Sequence, residues 1–257
     1  MNSVDLCAMT PTPETTAPAA LTAPDCRVVE LRQYSLHPGQ RDTLVELFER
    51  EFVDSQEALG IRVLGQFRDL DDADRFVWLR GFADMAARGD TLSAFYGGPV
   101  WAAHRHTANA TMVDSDNVLL VRPAWAGAAL PAPAEARAER GATALPRGVL
   151  VASVLHLREP ASIELLALCR GAMTERLTQA GARVLGWYVT EDAPNNFPRL
   201  PVRAGEPVLL SLAMFDSAAS GNHDIWRRGI EPLLQPWLAR PTQALRLAPT
   251  PRSALHA

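Results

Sequence analysis

Residues 76–117 read FVWLRGFADMAARGDTLSAFYGGPVWAAHRHTANATMVDSDN, and the organisation of the chain follows from their spacing. Phe76, Trp78, Arg80 and Phe82 alternate with Val77, Leu79 and Gly81, so on a strand the first set shares one face, with a guanidinium between aromatic rings. A helix is expected from about Asp84 to Tyr96, with Met85, Leu92 and Phe95 inward. Gly97-Gly98-Pro99 breaks it, and Pro99 restarts a helix at the first turn, where a missing N–H costs nothing. Asn117 to Arg122 (NVLLVR) then reads as a closing strand.

Upstream, Val28 to Ser35 alternates as a strand, with Val29, Leu31 and Gln33 on one face and Glu30, Arg32 and Tyr34 on the other. His37-Pro38-Gly39 stops it. From Gln40 to Leu59 a helical stripe runs through Leu44, Leu47, Phe48, Phe52, Ser55 and Leu59, with Gly60 just past its end. Arg62 to Arg68 is a second strand, and an acidic turn at Asp69 to Asp74 leads into the third. The order is βαββαβ, a ferredoxin-like plan.

The plan then recurs. Arg62-Val63-Leu64-Gly65 returns as Arg183-Val184-Leu185-Gly186, and Val149 to His156 matches the first strand. Ser162 caps a helix with the stripe Ile163, Leu166, Met173 and Leu177. Val208 to Phe215 matches the third strand, Asp224 to Leu238 the second helical part, and Ala244 to Ala248 the last strand. The expected fold class is α+β, two tandem ferredoxin-like (βαββαβ) domains at 26–123 and 148–250. An Ala/Pro-rich linker at 124–147, with room for a short helix near Ala134 to Arg140, joins them, and tails at 1–25 and 251–257 flank them. The second half differs in its long Thr190 to Pro207 loop, which reads as a lid or interface segment.

Composition excludes several chemistries. All 25 basic residues are arginine, so Schiff-base lysines and the phosphate-binding lysine of P-loop proteins are absent. A net charge of -4 gives no reason to expect nucleic acid or an anionic membrane. The three cysteines form no CxxC pair, and Cys169 sits in an apolar helical pattern as a packing residue. No apolar run reaches the ~20 residues of a membrane span, and residues 1–25 lack both a signal-peptide core and transit-peptide arginines. A cytoplasmic setting is expected.

Glu30-Leu31-Arg32-Gln33-Tyr34, His37-Pro38-Gly39, Gly65-Gln66-Phe67, Phe76 to Phe82, Phe95 to Trp101, His104-Arg105 and Ala108-Asn109 together resemble a NIPSNAP domain of the dimeric α/β barrel superfamily. The resemblance implies half-barrels that pair sheet to sheet, and a homo-oligomer. Its superfamily includes cofactor-free monooxygenases, isomerases, haem enzymes and ligand-sensing domains, so no cofactor is expected while haem stays open. The second half lacks the Trp-Leu-Arg-Gly-Phe and Gly-Gly-Pro-x-Trp elements.

Arg80 is the leading candidate. With Arg32 it would hold a carboxylate or enolate between the walls of Trp78 and Trp101; alternatively it stacks on Trp78 while Arg32 pairs with Glu30. Tyr34 or His104 would move a proton, and Tyr96 and Asn109 would bond an oxyanion; packing roles are the alternative for each. His104 and His106 are two apart on a helix and point about 200° apart, so they cannot share a metal ion. Asp69, Asp71, Asp72 and Asp74 lack the Gly and the bidentate Glu of a calcium loop, since position twelve is Arg80. Two functions result: a small-molecule enzyme doing acid–base chemistry on a small organic anion or aromatic compound, or a non-catalytic ligand-binding or scaffold protein.

Overall fold

The pleat puts Val29, Leu31, Val77, Leu79, Leu119 and Val121 on one face of the first-half strands. Leu150, Ala152, Val154, Leu210, Leu212 and Met214 do the same in the second half. These two apolar faces meet inside one closed barrel. The computed structural model describes residues 22–133, 135–217 and 229–257. In chain order the elements are β1 (Val28–Leu36), α1 (Arg41–Leu47), a π-helical turn (Phe48–Phe52), α2 (Val53–Glu57), β2 (Arg62–Asp69), β3 (Arg75–Phe82), α3 (Met85–Gly97), α4 (Pro99–Ala110) and β4 (Met112–Pro123). The second half supplies β5 (Val149–His156), α5 (Ile163–Leu168), a π-helical turn (Cys169–Met173), α6 (Thr174–Gln179), β6 (Arg183–Thr190), β7 (Val208–Phe215), α7 (Glu231–Leu234) and β8 (Gln243–Pro249).

Two tandem ferredoxin-like domains are therefore not what the chain forms. The strands run in the closed antiparallel order β1-β3-β2-β8-β5-β7-β6-β4. Each half would leave two open strand edges, and closure removes all of them. Phe67 to Asp69 of β2 pair with Leu247 to Pro249 of β8, and Val121 to Pro123 of β4 pair with Tyr188 to Thr190 of β6. The sheet-to-sheet pairing that the resemblance implies takes place within a single chain.

The segment expected as a linker is packed. Leu130 is buried in the barrel cluster, its N–H donating to the buried Tyr188 hydroxyl at 2.8 Å. Residues 135–140 are not helical, and Ala134 lies outside the described residues. Of the expected tails, residues 1–21 lie outside the described residues, while Ala23 joins the core. Residues 251–257 are anchored instead of free: Arg252 and Ser253 are buried, and the Arg252 N–H donates to the Glu49 carboxylate at 2.8 Å. The expected helical part at 224–238 lies partly outside the described residues, and α7 is what the described part forms.

The repeated Arg-Val-Leu-Gly marks the same bulge twice. Register slips between Val63 and Gly65 and between Val184 and Gly186, and the ring two residues on lies over each glycine. A Cβ at Gly186 would sit 2.9 Å from both the Tyr188 ring and the Ala128 carbonyl oxygen. Gly186→Ala should therefore cost about 1–3 kcal/mol, because the backbone of Ala128 cannot step aside. Urea unfolding would measure it, and a loss under about 0.5 kcal/mol would show that the bulge has slack.

Candidate functional site: a buried arginine cluster

The helices of the first half cover the outer face of β1 and β3. Register places Glu30 directly opposite Arg80, Arg32 opposite Trp78 and Tyr34 opposite Phe76. Cross-strand neighbours stand about 4.5–5.5 Å apart, so these side chains meet. The Glu30 carboxylate accepts from Arg32 Nη1 at 2.6 Å and from Arg80 Nε at 2.8 Å. A third guanidinium comes down from α3, where Arg88 Nε donates to Glu30 Oε1 at 2.7 Å. Glu30, Arg80 and Arg88 are 0% exposed and Arg32 is 1% exposed.

Three guanidiniums thus share one carboxylate, an excess of two positive charges away from water. Neutral acceptors complete part of the set. Gln56 Oε1 takes Arg80 Nη1 at 3.2 Å, the Tyr34 hydroxyl takes Arg32 Nε at 3.0 Å, and Asn195 and Asn196 take Arg88 Nη1 at 3.0 and 2.8 Å. Arg80 Nη2, Arg88 Nη2 and Trp78 Nε1 are buried with no acceptor. Aromatic rings wall the charge: Arg80 Cζ lies 5.0 Å from the Trp78 ring centroid, 5.6 Å from Phe82 and 5.9 Å from Tyr96.

Electrostatics fixes the protonation states. Burial pushes the Glu30 carboxyl upward, but Arg80, Arg32 and Arg88 outweigh it and hold the group well below the usual carboxylate range. Burial pulls the Arg88 guanidinium below its ordinary value, with Glu30 opposing. Tyr34 is raised by burial against the opposing charge of Arg32, so it is a neutral phenol at neutral pH. Burial also pushes the Cys26 and Cys169 thiols up to about 12, which leaves neither as a thiolate nucleophile.

Residues 29–126, which carry all three arginines of the cluster and Glu30, match the family model described as NIPSNAP. Residues 29–126 are a NIPSNAP domain. An anthrone oxidase-like protein shares 14% identity with 92% of this chain and 98% of that one covered, at a TM-score of 0.55. A provisionally named monooxygenase from Lactobacillus acidophilus NCFM shares 11% identity, with 88% and 97% covered, at a TM-score of 0.52. Both likenesses are of fold, and both span the two halves together, as one closed barrel requires. A NIPSNAP domain protein from Burkholderia xenovorans shares 17% identity over 38% of this chain and 94% of that one, at a TM-score of 0.35. No curated protein matches the chain.

Within the NIPSNAP domain, Arg32, Arg80, Tyr34, Trp78 and Tyr96 come together. His104 does not join them. It is 32% exposed on α4, with Nε2 3.7 Å from Glu51 and its ring against Phe52. Trp101 packs on Phe52, Phe95 and Tyr96 one layer farther out, and Asn109 is exposed at the end of α4. Missed by the sequence reading were Arg88, Gln56, Asn195 and Asn196. Arg88 was signalled: a charge three residues from Met85 and four from Leu92 lies on the helix stripe that faces the core.

Among the described residues of the second half the strands carry no counterpart to the cluster. Val28 faces Phe82 and Val149 faces Phe215 at the equivalent ends of the two strand pairs. Glu30, Arg32 and Tyr34 therefore correspond to Val151, Ser153 and Leu155, and Trp78 and Arg80 to Ser211 and Ala213. Each strand charge of the cluster, Glu30, Arg32 and Arg80, is replaced by a small or apolar residue. Among the described residues no group of three His, Cys, Asp or Glu is placed to hold a metal ion, and no helix is long and apolar enough to cross a membrane.

His156, at the end of β5, is a separate buried group. Its pKa is pushed down to about 4 by burial and by Arg240 and Arg203, against the opposing Glu206. The unfolded chain binds the proton near pH 6.5 and the folded chain does not, so stability falls as pH drops from 6.5 to 4. Thermal melts across that range should lose stability of order 1–3 kcal/mol, and His156→Gln should flatten the slope. An unchanged slope in the variant would assign it to other groups.

Proposed function

We infer that the NIPSNAP domain binds a small organic anion at the Arg32–Arg80–Arg88 cluster. The observation that carries this reading is the buried excess of two positive charges, with two guanidinium nitrogens and an indole N–H lacking acceptors. Unpaired charge in a low-dielectric interior costs several kcal/mol per ion, and a bound carboxylate or enolate removes that cost. Guanidinium forks suit a planar carboxylate, and the rings of Trp78, Tyr96 and Phe82 suit an apolar or aromatic neighbour to it. The test is thermal stabilisation at fixed ionic strength by benzoate against benzamide, which differ in charge and hardly in shape. Benzoate should raise the melting temperature with concentration and benzamide should not. Equal shifts from both, or none from either, would sink the reading.

A second reading, chemistry on the bound anion, is favoured by Tyr34. Its neutral phenol, already aligned by Arg32 Nε, is a donor for an oxyanion that develops on the ligand. Glu30 is a poor base, since three arginines lower its affinity for a proton, so solvent in the site takes the α-proton as the oxyanion forms. Exchange of α-hydrogens of a bound acid with deuterated water, followed by NMR, tests this reading. Tyr34→Phe should slow that exchange by about 100-fold while leaving affinity within a few-fold. Absence of exchange in the unmutated protein leaves binding as the whole function.

A further inference from the structure

The arginine cluster has a neighbour built by the other half of the chain. A cavity of about 470 Å³ lies beneath the 190–207 loop, within the range of small-molecule sites. Leu120, Pro160, Ala193, Asn195, Val202 and Arg203 contribute to its wall. Asn195 also accepts from Arg88 Nη1, and Leu120 is the register partner of Glu30 on β4, so one layer of side chains separates cavity from cluster. The loop is fastened over this junction. Phe197 stacks on Tyr96 at 5.8 Å, Asn196 bonds the Met85 carbonyl, Arg203 N–H donates to the Val118 carbonyl at 2.8 Å, and Glu191 N–H donates to the Leu120 carbonyl at 2.9 Å.

We propose that this cavity receives the uncharged body of the anion whose charged head sits at Arg80 and Arg88, with Asn195 as the shared wall. The inference rests on the anion reading given above. The carbonyl of Asn195 is a neutral acceptor on a buried cation, the position that a ligand carboxylate would take with greater electrostatic gain. The cavity orients the ligand as well. The acids at its wall are each paired, Asp192 with Arg122 at 3.5 Å and Glu206 with Arg203 and with Arg240 at 2.8 Å, which leaves the arginine cluster as the place for an anionic head. Apolar lining at Leu120, Pro160, Ala193 and Val202 favours a hydrocarbon or aromatic body. The ligand class is thus an acid with an uncharged apolar body, read by charge in the first half and by size in the second.

Calorimetric titration of acetate and 4-phenylbutanoate into the unmutated protein and Ala193→Trp separates the possibilities. Ala193 is half-buried on the loop and lines the cavity, while Arg32, Arg80 and Arg88 do not, so an indole there fills the cavity and leaves the three guanidiniums in place. The unmutated protein should bind 4-phenylbutanoate at least about tenfold more tightly than acetate, and Ala193→Trp should erase that preference while acetate stays within about twofold. Val202→Trp serves as the second variant should Ala193→Trp lose its cooperative melt. A preference for 4-phenylbutanoate that both variants retain overturns the cavity assignment and leaves the anion site standing. Failure of both acids to bind the unmutated protein overturns both readings.

Discussion

Replacing Glu30 with glutamine is expected to destabilise the fold by about 3–5 kcal/mol, seen as a drop in melting temperature of roughly 6–20 °C. Glutamine preserves the shape and one acceptor oxygen, so packing is not the cause. What disappears is the single negative charge that Arg32, Arg80 and Arg88 all bond. Three guanidiniums at no more than 1% exposure would then face one another without a counter-ion. Added benzoate should restore part of the lost stability, since a ligand present at about 100 times its Kd contributes about 2.7 kcal/mol. A loss below about 1 kcal/mol would show that the cluster is screened in a way its burial does not suggest.

Arg80→Met should behave in the opposite sense for stability and far more severely for binding. Removing Arg80 cuts the buried excess from two positive charges to one, and an unbranched apolar side chain fits among Trp78, Phe82 and Tyr96. Exchanging a buried ion for a well-packed apolar residue is often neutral or stabilising, so the melting temperature should hold or rise. Anion affinity should fall by about 100-fold, equivalent to about 2.7 kcal/mol, because Arg80 Nη2 is one of the two guanidinium nitrogens left for the ligand. Such a split, stability kept and binding lost, is what a site maintained for function produces. Arg80→Met with unchanged affinity would reduce the guanidinium to a stacking partner of Trp78.

The outer face of β1 and β3 was legible because strand alternation is strict: Glu30, Arg32 and Tyr34 against Trp78 and Arg80 follow from period two alone. Gln56 was not, and the cause is the π-helical turn at Phe48–Phe52. A π turn inserts extra rotation, so the stripe extrapolated through Ser55 and Leu59 drifts off the buried face. Gln56 is buried instead, and Leu59 is exposed. Trp101, His104, Arg105, Ala108 and Met112 follow three-four spacing, yet Ala108 alone of them is buried, because α4 lies over Phe52 and Phe95 and not on the sheet.

Asn195 and Asn196 had no local signal, since they meet Arg88 from more than a hundred residues away. Closure of the barrel was hidden for a similar reason. The β2–β8 and β4–β6 pairs are short, three residues each, and join strands from opposite halves. Local pattern specifies each strand, but which edge finds which partner depends on the assembled sheets.

Co-crystallisation with 4-iodobenzoate tests the central claim most directly, because the iodine marks the ligand by anomalous scattering and the carboxylate is resolved beside it. The carboxylate should lie within hydrogen-bonding distance of Arg80 Nη2 and Arg88 Nη2, with the arginines still gathered on Glu30. A ligand bound elsewhere while the cluster stays as it is, with its guanidinium nitrogens unpartnered, would contradict it.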